Sequence, residues 1–158
     1  MSYIPEADDS PFVHHFGYYH QPASNAVGQR LPLSATGFSM PGVSINGSGQ
    51  LVIDAGVCVM VQLALLMERN DGNTYSASAT WYHVTNAAYV GCTSRNILHS
   101  SYGSYLRSPL ARAVIKPSVP TTIECRISST SGGAVSFTGT YPSTYHGRGW
   151  FSVTRYTP

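Results

Sequence analysis

Seven carboxylates, six histidines and three cysteines are the side chains of this 158-residue chain with the most reactive chemistry to offer. A hydrolase needs a nucleophile, a base beside it and an acid that orients the base. The acids supply little of that. Asp54 and Asp71 stand in turn sequences, where Asp commonly bonds local backbone; Glu68 and Glu124 border or interrupt apolar strands, and each is expected to pair with an arginine. No two carboxylates have a spacing that suggests a glycosidase pair. His14, His15 and His20 are the one histidine cluster, with a metal site or a pH-sensitive segment as its sharpest readings. Neighbours on a strand point to opposite faces, so His14 and His15 do not readily share an ion, and packing is the favoured role. His83, His99 and His146 are isolated.

Cys58, Cys92 and Cys125 are odd in number and far apart, which reads as free thiols buried in strands, not as a disulfide frame or a zinc site. Ser131-Gly132-Gly133 is a turn with no lysine after it, so there is no phosphate loop. Neither a metal nor another cofactor is expected, and neither is catalysis. The chemistry left is that of surfaces.

Two segments look built for contact. Tyr141, Tyr145 and Arg148 lie in a loop of Tyr, Ser, Thr, Gly and Pro, a composition suited to a sugar ring or to an adaptable protein contact. Residues 1–30 hold three of the seven acids, three of the six histidines and the aromatics Tyr3, Phe12, Phe16, Tyr18 and Tyr19, without a period of 2 or 3.6. Disordered tails are poor in aromatics, so this stretch is expected to be an extended arm docked on its own domain, a neighbouring subunit or a larger assembly. Charged residues make up only 10% of the chain, against about 25% in ordinary soluble domains. Neutral hydroxyls and amides cost less to desolvate than ions, which favours protein contact. The nine basic residues are scattered, so no stripe tracks a nucleic acid backbone. No run of about 18 apolar residues would cross a membrane as a helix. Met1-Ser-Tyr-Ile-Pro-Glu6 lacks the basic and apolar regions of a signal peptide, and a product of the cytoplasm is expected.

The elements that carry these segments read as strands. An arm over 1–30 and one domain over 31–158 account for the chain. Leu31–Phe38 is a possible edge, Val43–Ile45 and Leu51–Ile53 are short strands, and Asn46-Gly-Ser-Gly49 between them is a tight turn. In Val57–Met67, alternate residues from Val57 to Leu65 form one apolar face, while Cys58, Met60, Gln62, Ala64 and Leu66 form a second, so both faces are expected to be covered. Further strands are expected over Thr74–Val84, Ala87–Ser94, Ile97–Leu106, Leu110–Ile115, Thr121–Ser128, Ala134–Thr138 and Trp150–Tyr156. Short strands at even spacing with no helix between them imply an antiparallel all-β sandwich.

Their order resembles the tumour-necrosis-factor-like jelly roll, the trimeric head shared by cytokines, complement-type globular heads and many bacteriophage virion proteins. The matching features are Val43-Ser-Ile45, Gly49-x-Leu51-x-Ile53, the apolar strand from Val57, the strand from Thr121 entered at a proline-rich corner, and the close Trp150-Phe-Ser-Val-Thr-Arg-Tyr156. One departure is Val119-Pro120, where the family often has Gly-Asp. The resemblance implies a homotrimer packed through one sheet face, with Met60, Leu66, Tyr82, Tyr89 and Phe151 as interface candidates. It implies a virion structural protein, either a capsid decoration protein docked on the major capsid protein through its arm or a tail-fibre head that binds a host glycan.

Overall fold

The computed structural model describes residues 12–20, 26–65, 67–68, 75–98, 110–131, 136–137 and 149–156. They form strands joined by turns, with no helix among the described residues. One sheet runs in the order β1 (Phe12–Tyr18), β12 (Trp150–Tyr156), β5 (Cys58–Ala64) and β9 (Ala111–Ile115). The other runs β8 (Ala88–Leu98), β7 (Tyr75–His83), β10 (Thr121–Ser131), β4 (Leu51–Ile53) and β3 (Val43–Ile45), with β2 (Arg30–Leu31) also on β10. Strand β8 joins the two sheets through the pair Cys92 and Arg112, so the path curls around one core. Every pairing is antiparallel. A separate short ladder joins β6 (Met67–Glu68) to β11 (Ser136–Phe137). This is a jelly-roll sandwich.

Alternation builds the core. Val59, Val61, Leu63, Phe151 and Val153 point inward from one sheet; Leu51, Ile53, Ala77, Ala79, Trp81, Ile123, Cys125 and Ile127 point inward from the other, and all are buried. Trp81 spans the sandwich. Its indole Nε1 donates to the carbonyl of Ala111 at 3.0 Å, tying β7 to β9 where β8 crosses between the sheets. That crossing requires Gly91. Its φ is +78°, and a Cβ there would lie against the Arg112 carbonyl and 2.7 Å from Cβ of Ala113, a combination open only to glycine.

Three expectations change. The expected strands at 87–94 and 97–106 are one strand, β8, ending at Leu98. The apolar run from Val57 stops pairing as one strand at Ala64, and Met67–Glu68 pairs elsewhere. The third is narrowed: residues 12–20 of the expected arm dock on their own domain, one of the three places expected for it. Strand β1 pairs with β12 over seven residues, from Phe12 with Tyr156 to Tyr18 with Trp150. Tyr19 then enters the core, with its ring where a Cβ on Gly149 would stand. The missing period has a physical cause: after Val13, β1 is inverted. Its inward positions are Val13, His15 and Gly17, of which only Val13 is an apolar side chain, and its outward ones are His14, Phe16 and Tyr18. Gly17 is required because the Phe151 ring occupies the space of its Cβ, with Cε1 2.7 Å away.

The thiols also separate. Cys125 is buried, and desolvation raises its pKa far above the usual thiol range. Cys92 is exposed, against the expectation that all three are buried, and Cys58 is half-buried. A thiol reagent at neutral pH is expected to modify Cys92 first and Cys58 more slowly. Cys125 is expected to react only after denaturation. Peptide mapping of the labelled protein checks that order, and early label on Cys125 would contradict this packing.

Candidate functional site

The two outer faces of the sandwich differ in chemistry. The face of β1, β12, β5 and β9 is aromatic and aliphatic. Phe16 packs on Trp150 with centroids 5.1 Å apart and meets Tyr18 edge-on at 5.7 Å. Phe16 is 49% exposed and Val114, on β9, 66% exposed. Between them lie half-buried Met60, Ala64 and Tyr156, with the Tyr156 hydroxyl donating to Met60 Sδ at 3.8 Å. A polar inset crosses this face. The Gln62 amide oxygen accepts from Nε and Nη2 of Arg112, both at 2.8 Å, while its NH2 donates to Ser152 Oγ at 3.2 Å. His14 Nδ1 lies 2.9 Å from Thr154 Oγ1.

The opposite face, of β8, β7, β10, β4 and β2, is polar. At its centre Glu124 is only 3% exposed although it points away from the core. Gln50 Nε2 donates to its Oε2 at 2.5 Å, Arg126 Nε donates to its Oε1 at 2.5 Å, and Arg30 Nη1 lies 3.5 Å from Oε2. Burial alone would push this carboxyl up. The hydrogen bonds from Gln50 and Arg126 and the charges of Arg126 and Arg30 outweigh that and hold it below its ordinary value. The turn before β4 positions Gln50: Asn46 Oδ1 accepts from the backbone N–H of Ser48 and Gln50, and Asn46 Nδ2 donates to Gln50 Oε1 at 2.8 Å. The Arg126 guanidinium carbon stands 3.6 Å over the Tyr82 ring, whose far neighbour, Tyr89, meets it edge-on at 5.2 Å. Beyond them hydroxyls continue the face. Thr80 bridges Thr93 and Ser128 at 2.9 and 3.0 Å, and Ser76 meets Ser131 at 2.6 Å.

The histidines divide as strand geometry requires. His14 is exposed on the outer face, while His15 turns inward onto Phe38, 4.6 Å away, and Phe151. Desolvation, then the neighbouring His14, lowers the His15 pKa. His83 accepts the Asn86 N–H on Nδ1 at 3.1 Å, so its proton sits on Nε2, which donates to Thr121 Oγ1 at 3.0 Å. Among the described residues no three His, Cys, Asp or Glu side chains group to hold a metal.

The five interface candidates do not share a surface. Met60 lies on the aromatic face, and Tyr82 and Tyr89 lie on the opposite outer face. Phe151 is a core residue with 0% exposure, because it sits one position out of phase with Ser152 and Trp150. Leu66 lies outside the described residues. Of the docking candidates, Phe16 and Tyr18 are exposed, Tyr19 is core, the Phe12 backbone is in β1 with its side chain outside the described set, and Tyr3 lies outside it. The loop residues Tyr141, Tyr145 and Arg148 lie outside it as well. Sequence reading passed over Trp150, Val114 and Arg126. The first was visible as an aromatic at an alternating position; the other two needed the pairing of β9 and β10 to be known.

No protein-family model matches the sequence. No curated protein matches it either. Among solved structures, the chain is similar to that of Eiger TNF from S. frugiperda, with a TM-score of 0.51 over 92% of each chain at 13% identity. At that identity the likeness is one of fold, and together with the strand order it makes this protein a tumour-necrosis-factor-like jelly roll.

Proposed function

We propose that the protein is a structural protein of a bacteriophage virion, a homotrimer that decorates and cements the capsid and acts by binding, not catalysis. The observation that carries this reading is the exposed aromatic face of β1, β12, β5 and β9, where Phe16, Tyr18, Trp150, Met60 and Val114 stand outside the protomer's own core. Exposed apolar surface of this kind, here on both sides of the Ser152, Gln62 and Arg112 inset, marks an interface. Three copies packed about an axis would cover it, and they would also cover the second face of β5, which a lone protomer leaves half-buried. The low charge and the phage-like closing strand Trp150–Tyr156 support the virion setting. The partner is then the major capsid protein. Because β1 is committed to the sheet, capsid docking falls to the segment before Phe12, and Phe16 and Tyr18 belong to the trimer face.

Val114→Arg is expected to shift the sedimenting species from trimer to monomer while the β-sheet circular dichroism is retained. A wild-type protein that sediments as a monomer at micromolar concentration would overturn the trimer. The virion role is tested by removing the protein from purified particles. Shells that weaken to heat or osmotic shock yet still attach to the host are the expected result. Intact shells that no longer attach would instead favour a second reading, a receptor-binding head for a host glycan, which the polar, tyrosine-bearing opposite face supports.

A further inference from the structure

The arginines of the polar face are placed against ordinary sheet electrostatics. Arg30 on β2 and Arg126 on β10 are directly opposite in register, an arrangement in which like charges repel. One carboxylate, Glu124, serves both, and it is buried beneath them with 3% exposure, while the side chains of Arg30 and Arg126 remain 35% and 27% exposed. Counted over the described residues, the cluster thus carries one positive charge in excess, and that charge is at the surface. Arg126 is fixed from two sides: its Nε is held by Glu124, and its plane is stacked on Tyr82. Its Nη groups find no acceptor among the described residues. Tyr89, 49% exposed, stands edge-on to the same Tyr82 ring and offers an open aromatic surface on the far side of that ring from the guanidinium. Thr80, Thr93 and Ser128 line the adjoining strip with hydroxyls.

We infer that this face binds a carboxylate-bearing saccharide, a sugar acid within a glycan. The carboxylate supplies the missing negative charge and accepts from the Nη groups of Arg126, with Arg30 beside it. A guanidinium held in place loses little freedom on binding, and it suits a planar carboxylate better than an ammonium does. A pyranose face packs on Tyr89, and the hydroxyl strip can exchange hydrogen bonds with the ring substituents. The saccharide is favoured over a free anion because a bare anion would use the arginines and leave Tyr89 idle. The site lies within one protomer, so it depends neither on the trimer nor on the virion role.

Titration of the full chain with sialyllactose, lactose, sodium acetate and sodium sulfate, followed by NMR or calorimetry, tests it. Saturable binding of sialyllactose is expected, with lactose, acetate and sulfate each about ten-fold weaker or undetectable. Tyr89→Ala is expected to weaken sialyllactose about ten-fold, and Arg126→Lys, which keeps a cation for Glu124, to weaken it by a similar factor. The monomeric Val114→Arg protein is expected to bind as the wild type does, which separates this site from the trimer face. Equal affinity for lactose, equal affinity for sulfate, no binding at all, or an unchanged Tyr89→Ala protein would each overturn the assignment.

Discussion

Trp81→Ala is expected to cost about 4 kcal/mol of stability, the largest single loss this sandwich offers. Trp81 is fully buried, and no other side chain among the described residues of the core is as large. Truncation removes its contacts with both sheets and leaves a cavity that rigid strands cannot close. It also strips the Ala111 carbonyl of the indole N–H it accepts at 3.0 Å, and an unpaired buried acceptor adds about 1 kcal/mol. The melting temperature should fall by on the order of 10 °C. Trp81→Phe separates the two terms, since it keeps most of the volume but not the donor. Thermal melts at fixed protomer concentration check both, because any self-association couples stability to concentration. If Trp81→Ala melts within about 2 °C of the wild type, this tryptophan is not the inter-sheet tie described above.

Glu124→Ala is the second large effect, and its sign can look counter-intuitive because it removes a charge from a nearly buried position. Among the described residues the carboxylate is the only acid between Arg30 and Arg126, which stand opposite in register, and it also receives Gln50. Removing it leaves those groups without their acceptor. Breaking a fully buried pair costs about 3–5 kcal/mol. Both guanidinium groups here are partly exposed and can be rehydrated, so about 2 kcal/mol is expected. The acid limb gives an independent check. The folded-state pKa of Glu124 lies below its ordinary value, so its contribution is fully present above the ordinary carboxylate range. It is lost as the pH falls from that range through the lowered folded value. Urea midpoints measured across that window should fall less steeply for Glu124→Ala than for the wild type. Parallel slopes would mean that Glu124 is not held in the ionised form. Because Glu124 also fixes Arg126, the same variant should lose sialyllactose binding, whereas Tyr89→Ala should lose binding with stability kept.

Much of the fold was legible as local pattern. Val43–Ile45, Leu51–Ile53 and Trp150–Tyr156 form where alternation and turn residues place them, and the Asn46 turn holds through its own side chain. The expected pairing of Glu124 with arginine is also present. The strand β1 was not legible, because a strand whose inward positions are Val13, His15 and Gly17 while Phe16 and Tyr18 face out carries no apolar period. Its inner face is completed by Phe151 and Phe38, which are distant in sequence. Nor was the unity of β8, since the polar pair Arg95-Asn96 stands between the two expected strands, and only pairing with β7, which runs through both residues, joins them.

The sequence by itself determined that this chain is a β-sandwich, which residues alternate within each strand, and that its surface is low in charge. Those properties follow from side-chain period, turn chemistry and composition, all of which are local. Only the tertiary structure decided which alternating sets join one surface. Met60 shares a face with Phe16, Trp150 and Val114, whereas Tyr82 and Tyr89 share theirs with Arg126, Glu124 and Arg30. A period of two sorts a strand's residues into two sides. Which side meets the core, and which strands lie beside it, is settled by long-range pairing, and that pairing separates an aromatic face from a cationic one.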